Sequence, residues 1–546
     1  MPDDLDIRPL LDVEDPAARP AVLTLLNRLE ELAAQNRELR EENERLRDEI
    51  ARLKGEHPDP KRAASRPPAR DVSSEKERRK PTGRKRSKRP PIEVDGTTKL
   101  RVERCGLPAD ARFKGWVKTI VQDVVLVRRN IRFLREKFYS ASTGRTYLAP
   151  LPAGYEGGLG PGMKALALGL CYGANVSFAQ VGQFLRNSEI RISAGRIASL
   201  LTRGLERFHE EKDEVLQAGL ASSCAHGIDT TPTSVGGDTW HAHALCNPFY
   251  TVYHTTPTKE RVAALEALQG GRPRRLRLDA TTLHWLEESK IAQKHRLALC
   301  ALPWEVTLEA AEFELLLDTH LPAAPPQVRK SIAEAAALAA YHAQEEVPVV
   351  KTLVCDDAAQ WRRIAQLALC WVHDGRHYKK LCPCLPYHRQ LLEQFRKDYW
   401  DYYDKLLAYK HIPSPARAAA LSAEFDTLFS TTTGYALLDE RIARSRDKKS
   451  ELLRVLADPT IPLHNNATEL AVRRRVRKRD VSLAAKSPGG VRVWDTLQTL
   501  AETARKLDVS FLEYLRDRIT RSGRTPRLAE LIRKRALSCG ALPLAA

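Results

Sequence analysis

The sequence predicts a multidomain α+β protein: an N-terminal coiled coil, a helix-turn-helix domain, and an α/β core interrupted by helical insertions. Three observations predict it. Residues 22–53 carry five consecutive heptads. Residues 224–268 and 347–355 turn to β-branched and apolar strand chemistry. Long Ala/Leu-rich stretches of helical character separate and follow those strands. At ~100–200 residues per domain, 546 residues accommodate three or four units.

The elements follow in chain order. Residues 1–20 form an acidic tail with no apolar signal segment, so export is not expected. Residues 21–56 are the coiled coil. Leu25, Leu32, Leu39, Leu46 and Leu53 recur at d, with Val22, Leu29, Asn36, Asn43 and Ile50 at a. Leu at d with two Asn at a suits a parallel two-stranded coil, hence a homodimer; the alternative is a lone amphipathic surface helix. Residues 57–102 are Pro-rich and nearly devoid of apolar side chains. Between Lys61 and Arg89 stand thirteen basic and three acidic residues, a net +10 that includes Arg84, Lys85 and Arg86. Such a segment buries too little to fold alone, and it reads as a linker that holds phosphates without sequence preference.

Residues 103–220 form the DNA-binding region. VKTIVQDVVLVRRNIRFLREKFYS suggests strands of a small β-rich unit. Further on, VSFAQVGQFL and ISAGRIASLL read as two short helices, with Ser177 and Ser193 placed to cap them. A tight connection between them suggests a helix-turn-helix whose second helix presents Arg196; a helix pair packed for stability alone is the alternative. Residues 221–510 form the core, with helical insertions at about 270–345 and 386–457. It holds a three-strand meander, a buried strand VPVVKTLVC, a helix AAQWRRIAQLA and a short strand at LALCWVH. Residues 511–546 are a basic helical tail.

Charge narrows the class. Lys plus Arg total 88 against 69 acids, a net +19, which favours a polyanionic partner. No stretch approaches the ~20 apolar residues of a spanning helix. Ten cysteines in a chain of this length read as reduced thiols, not as a disulfide scaffold. A cytoplasmic, nucleoid-associated protein with no membrane partner is expected.

Three carboxylates stand out by placement. Asp229 lies on the first meander strand, Asp356 ends the buried strand, and Glu469 starts a C-terminal helix. That distribution suits a ribonuclease-H-like core, where three acids converge at the sheet edge. Such a cluster repels itself unless hard divalent cations sit in it. Two Mg²⁺ ions, with Mn²⁺ as a substitute, would serve phosphodiester chemistry. Each acid also has a structural reading. Asp229 can cap a turn, Asp357 with Gln360 and Asn466 with Glu469 have capping-box spacing, and Glu469 can pair with Arg473.

Several segments together resemble transposases of the insertion-sequence 66 type. PLHNNATEL resembles that family's P-hydrophobic-x-NNxxE block, with Pro462, Asn465, Asn466 and Glu469 at the matching positions. The Gly-Gly turn and the L-x-E helix after it match at Gly489, Gly490, Leu500 and Glu502. LVCDDAAQWRRIAQLALCWVH resembles the second-Asp strand and its CWxH motif, matching Asp356, Cys370, Trp371 and His373. GIDTTPTSV resembles the first-Asp strand at Asp229, although Thr230 stands where a second acid is usual. A zinc ribbon often present in the family is absent, since Cys105 alone remains near its place. The resemblance implies DNA transposition by a DDE mechanism. Asp229, Asp356 and Glu469 would be catalytic and metal-binding, and Asn465, Asn466, Cys370 and His373 would support the site. Element terminal inverted repeats and target DNA would be the partners, with higher oligomers in synapsis. Small companion proteins are expected from other elements of this type. An inactive DNA-binding regulator and a metal-dependent nuclease on the same core are the alternatives.

Arg473, Arg474, Arg475, Arg477, Lys478 and Arg479 place six cations in seven positions beside Glu469. They read as phosphate contacts, against a solvated helix face as the alternative. Cys370, His373, His377, Cys382, Cys384 and His388 lack the spacing of zinc knuckles, so zinc is not expected. The aromatic run Tyr399–Tyr403 reads as a packed face.

Overall fold

The computed structural model describes residues 18–53, 93–103, 106–108 and 110–540. The tail before residue 18, most of the basic linker with Arg84, Lys85 and Arg86, and residues 541–546 lie outside the described residues. The protein is mixed α+β.

Helix α1, Ala18–Leu53, is a single long helix rich in Leu, Glu and Arg. Its two sides differ. Leu25, Leu32, Leu39 and Leu46 of the d stripe are 65%, 46%, 63% and 51% exposed. Leu26 is buried against Leu385. Glu30, also buried, accepts hydrogen bonds from Cys384 N, from Leu385 N at 2.9 Å and from His388 Nδ1 at 3.1 Å. Asn27 donates to Gly434 O and accepts from Ala436 N, both at 2.9 Å. These contacts occupy b, e and f positions, opposite the a/d stripe. The helix is therefore docked on the body of its own chain while its apolar seam faces outward.

Residues 110–136 form no strand or helix, and Val117, Val121, Val124 and Leu126 are exposed there. The expected β-rich unit reduces to one hairpin, β1 (Lys137–Ser140) and β2 (Arg145–Leu148), paired antiparallel. The apolar residues upstream meet no second layer, and strands without a buried face are not stable by themselves. Helices α2 (Phe178–Asn187) and α3 (Ala194–Thr202) follow. Ser177 accepts from Gln180 N and Ser193 from Arg196 N, both at 3.3 Å. Val181, Leu185, Ile197 and Leu201 are buried in a shared core.

After helix α4 (Glu206–Ala221) comes the main sheet. Strands β3 (Ala225–Val235), β4 (Asp238–Cys246) and β5 (Thr251–Thr256) form an antiparallel meander. A small ribbon, β6 (Arg275–Arg277) and β7 (Thr307–Glu309), lies within the first helical insertion. That insertion has its own cluster around Leu286, Phe313 and Leu317. Strands β8 (Thr352–Cys355) and β9 (Gln366–Leu369) then join in parallel, giving the order β5-β4-β3-β8-β9. Every residue of β8 is buried, as its apolar run requires. The helix expected at AAQWRRIAQLA is replaced by one 3-10 turn, Ala359–Trp361, and by β9. Pairing with β8 outweighs the segment's helical propensity. WVH belongs to helix α5, Trp371–Lys380, not to a strand.

The second insertion opens with α6, Pro386–His411. Its Tyr399, Tyr402 and Tyr403 pack around Trp371 at ring-centroid distances of 5.3, 5.6 and 6.4 Å. They are buried and form a packed face. Helix α7, Asn466–Ser482, crosses β3 and β4, and α8, Pro488–Lys506, covers β5.

Candidate active site

Strand register brings the first two acids together. Gly227 of β3 pairs with Val354 of β8 in parallel. Two residues further along each chain stand Asp229 and Asp356, neighbours on the same side because side chains alternate with period two. Glu469 comes to the same edge in the first turn of α7. The N-terminus of α7 can approach only because residue 227 is glycine. A Cβ there would lie 2.1 Å from Thr468 Oγ1 and 2.8 Å from Asn465 Oδ1.

The PLHNN and CWVH motifs interlock. Asn465 donates through Nδ2 to Ile228 O at 3.0 Å, and its backbone N–H meets Cys370 Sγ at 3.3 Å. Trp371 N donates to Leu463 O at 3.0 Å. Thus Asn465 and Cys370 tie α7 and α5 to the meander strand that bears Asp229. Neither proposed capping box forms. Asn465, not Asn466, is the N-cap of α7, with no side-chain cap bond. Asp357 pairs with Arg362 and Lys448.

Asp229 senses the other two acids. Burial pushes the Asp229 carboxyl up to about 6, against a hydrogen bond from Thr230 N; the negative charges of Asp356 and Glu469 push the same way as burial. Asp356 Oδ1 accepts from Trp361 Nε1 at 2.9 Å and from Ala358 N at 3.3 Å. Glu469 lies among basic groups: Arg376 Nη2 is 3.2 and 3.3 Å from its two oxygens, His373 Nε2 is 3.4 Å away, and Arg473 Nη2 is 3.6 Å away. Burial first, then the Arg376 cation, hold the His373 imidazole below its ordinary range.

The fit to a metal is one of chemistry, with one side chain turned away. Carboxylate oxygens suit hard divalent cations. Among the described residues, however, no three His, Cys, Asp or Glu side chains stand ready around a metal position. Glu469 is drawn toward Arg376 and His373, and it would have to release them to ligate with the two aspartates. The Cys/His cluster does not assemble a metal site either. Its His388 is stacked on Tyr435 at 4.3 Å and bonded to Glu30.

The basic run of α7 divides by helical phase. Arg473 and Arg477 face outward. Arg474 pairs with Glu502, and Arg479 donates to Pro232 O at 2.5 Å. Arg475 and Lys478, expected on phosphate, are buried and cannot reach it. Arg475 bonds Gln498 at 2.6 Å, Asp495 at 2.7 Å and Thr255 at 2.9 Å. Lys478 donates to Cys171 O at 2.8 Å. One turn separates them on the face of α7 pressed onto the protein. Arg196 is exposed on α3, and its guanidinium bonds Gly157 O. Asn466 begins α7 beside the site, its N–H bonded to His464 Nδ1 at 3.3 Å.

Arg376 and Trp361 are site residues that sequence reasoning missed, and Thr230, expected only as a replacement for an acid, supplies the backbone N–H that meets Asp229. Arg376 carried one legible signal: it follows His373 by three positions, so both occupy one face of α5.

Comparison with known proteins adds the following. A family model described as Transposase IS66 family matches residues 334–493, a span that includes Asp356, Cys370, His373 and Glu469. An uncharacterized protein of Sinorhizobium fredii, y4jO, is 32% identical over 330 residues, covering 59% of this chain and 100% of that protein. A second uncharacterized protein of the same organism, y4qI, is 32% identical over 108 residues, 20% of each chain. No solved structure matches.

Proposed function

The chain belongs to the IS66 transposase family, and from that premise we propose that it is a DNA transposase acting by a DDE mechanism on an RNase H-like core. Asp229, Asp356 and Glu469 are the three acids. The observation that carries the reading is the parallel β3–β8 register, which sets Asp229 beside Asp356, with the charge of Glu469 also acting on Asp229.

In the proposed reaction, water cuts a strand at each element end and leaves a 3′-hydroxyl. That hydroxyl attacks a target phosphodiester in line, one P–O bond forming as another breaks. No covalent protein intermediate is needed. Two Mg²⁺ ions, or Mn²⁺ in their place, would be held by the three carboxylates and would supply activation of the attacking oxygen and neutralisation of the leaving one. The chain's own groups position the rest. Thr230 N–H orients Asp229, and Trp361 and Ala358 N–H orient Asp356. Arg376 offsets the repulsion between Glu469 and Asp229, and the His373 imidazole lies 3.4 Å from Glu469. Arg473 and Arg477, on the outward side of α7, neutralise backbone phosphates near the scissile bond.

DNA binding away from the site falls to two regions in this reading. Helices α2 and α3, with Arg196, take the terminal inverted repeats. The basic linker with Arg84, Lys85 and Arg86 tethers DNA loosely. The outward a/d seam of α1 pairs with a second copy, giving a homodimer that can assemble further in synapsis. Among the described residues no helix is long and apolar enough to cross a membrane.

The test uses purified full-length protein, Mg²⁺ or Mn²⁺, and DNA bearing the element ends. Cleaved and joined products are expected. Glu469→Gln should lower both by on the order of 10³-fold with unchanged thermal unfolding. Normal joining by that variant overturns the site assignment. Cleavage without joining favours a nuclease, and binding without either reaction favours a regulator.

A further inference from the structure

A second polar cavity lies away from the three acids, at the free edge of the sheet. Its volume is about 530 Å³, and its walls come from α4, β4, β5, the turn at residues 270–272 and the first turns of α8. Lys212 of α4 lines it and is 6% exposed. No hydrogen bond or ion pair within 4 Å satisfies its ammonium among the described residues. Two acids are near, yet neither bonds it. Asp495 spends its oxygens on Arg475, Thr255 N and Thr255 Oγ1. Asp213 shares the wall, and burial raises its carboxyl above the ordinary range.

The other groups facing the cavity are mostly donors. Arg492 reaches it from the rim of α8 and Arg272 from the turn. His254 Nδ1 finds no hydrogen-bond partner, and Arg272 Nη1 has only the Glu346 carboxylate, at 3.6 Å. The field is positive: beyond the effect of burial, Lys212 helps depress both His209 and His254. The amino end of the nineteen-residue α8 adds its partial positive charge at the same wall. The Lys212 side chain is mostly buried, and its ammonium feels the charges of Asp495 and Asp213 without a direct bond to either, so an anion in the cavity would complete it.

We propose that this cavity is a phosphate-binding site, centred on Lys212 and closed by Arg492 and Arg272. Its volume exceeds that of a bare phosphate and suits a phosphorylated nucleotide unit. Half-buried Trp240 on the wall offers that unit an aromatic surface. Backbone phosphate of a nucleic-acid strand and free phosphate share the required chemistry. The proposal stands on the cavity and does not depend on the DDE reading.

The test is a titration of full-length protein with inorganic phosphate at constant ionic strength, read by calorimetry and by thermal unfolding. Wild-type protein should bind phosphate and unfold at higher temperature. Lys212→Met, which keeps the length of the side chain and removes its charge, should weaken binding by about tenfold or more. Glu469→Gln should leave the phosphate titration unchanged, which separates this site from the three acids. A short single-stranded oligonucleotide that competes with phosphate in wild type identifies a nucleic-acid backbone as the ligand, and failure to compete identifies a free phosphate. Should Lys212→Met fail to fold, Arg492→Gln on the exposed rim replaces it, with weakened phosphate binding expected. Phosphate stabilisation no greater than that by chloride, or affinity within about twofold of wild type in both variants, overturns the proposal.

Discussion

Helix α7 and its neighbours hold two carboxylate–guanidinium clusters of opposite construction. Around Asp495 and Arg475 five hydrogen bonds of 2.6–2.9 Å form inside a wall of buried residues, and of the Arg475 nitrogens only Nε lacks an acceptor there. Around Glu469 the contacts loosen to 3.2–3.6 Å, and two more acids press on the same space. The clusters lie only six residues apart on α7, roughly 9 Å along its axis. The first is short-bonded and closed to solvent, so its free energy goes into holding α7 and α8 to the sheet. The second is strained by like charges and balanced by movable cations, so it can exchange partners. Short, buried bonding marks a structural charge pair; convergent, loosely matched carboxylates mark a place for chemistry.

The largest way to break this contrast is Arg475→Ala. It strands Asp495 and should cost about 3–5 kcal/mol in chemical denaturation. Arg473→Ala, beside Glu469 but exposed, should stay within ~1 kcal/mol. Equal losses from the two would erase the distinction.

A smaller effect comes from pH. Asp229 is raised from 3.8 to about 6 in the folded protein. The folded state then holds its proton more tightly than the unfolded state. The associated stability is complete at low pH and is lost as pH rises through the window from 3.8 to about 6. Metal-free protein should lose on the order of 2 kcal/mol across that window, and Asp229→Asn should flatten the slope. An unchanged slope in the variant would show that other groups carry it.

Smallest, and sharpest for the exchangeable cluster, is Arg376→Gln. It frees Glu469 from its closest cation. Mn²⁺ affinity, followed by titration calorimetry without DNA, should rise about fivefold. A fall in affinity would mean that Arg376 holds Glu469 in the ligating position.

Much of this was legible locally. Ser177 and Ser193 cap their helices as their positions before apolar periodic runs require. The β-branched and apolar run at Thr352–Cys355 forms a fully buried strand. Glu469 stands in the first turn of its helix, beside the N-cap Asn465. Other features were not legible, for stated physical reasons. AAQWRRIAQLA has helical propensity but supplies the sheet's edge strand, since neighbouring β8 offers it a ladder. The apolar alternation before residue 137 promised strands and found no layer to cover them. Arg376 is distant in sequence from Glu469, and only the packing of α5 against α7 brings them together.

By itself the sequence determined what depends on near neighbours: the heptad register of α1, helix caps, strand runs, and the strand and helix ends that bear the three acids. The tertiary structure alone decided which face each helix turns inward. In RRRVRKR, chemistry is nearly uniform, and only the rotational phase of α7 on the sheet buries Arg475 and Lys478 while leaving Arg473 and Arg477 outside. The same applies to α1, whose heptads predict a seam but not that its opposite face docks through Glu30 and Asn27. Periodicity is a property of the local backbone. The burial of a charge depends on acceptors contributed by other elements, from 20 to 307 residues away, and these are in place only after the chain has folded.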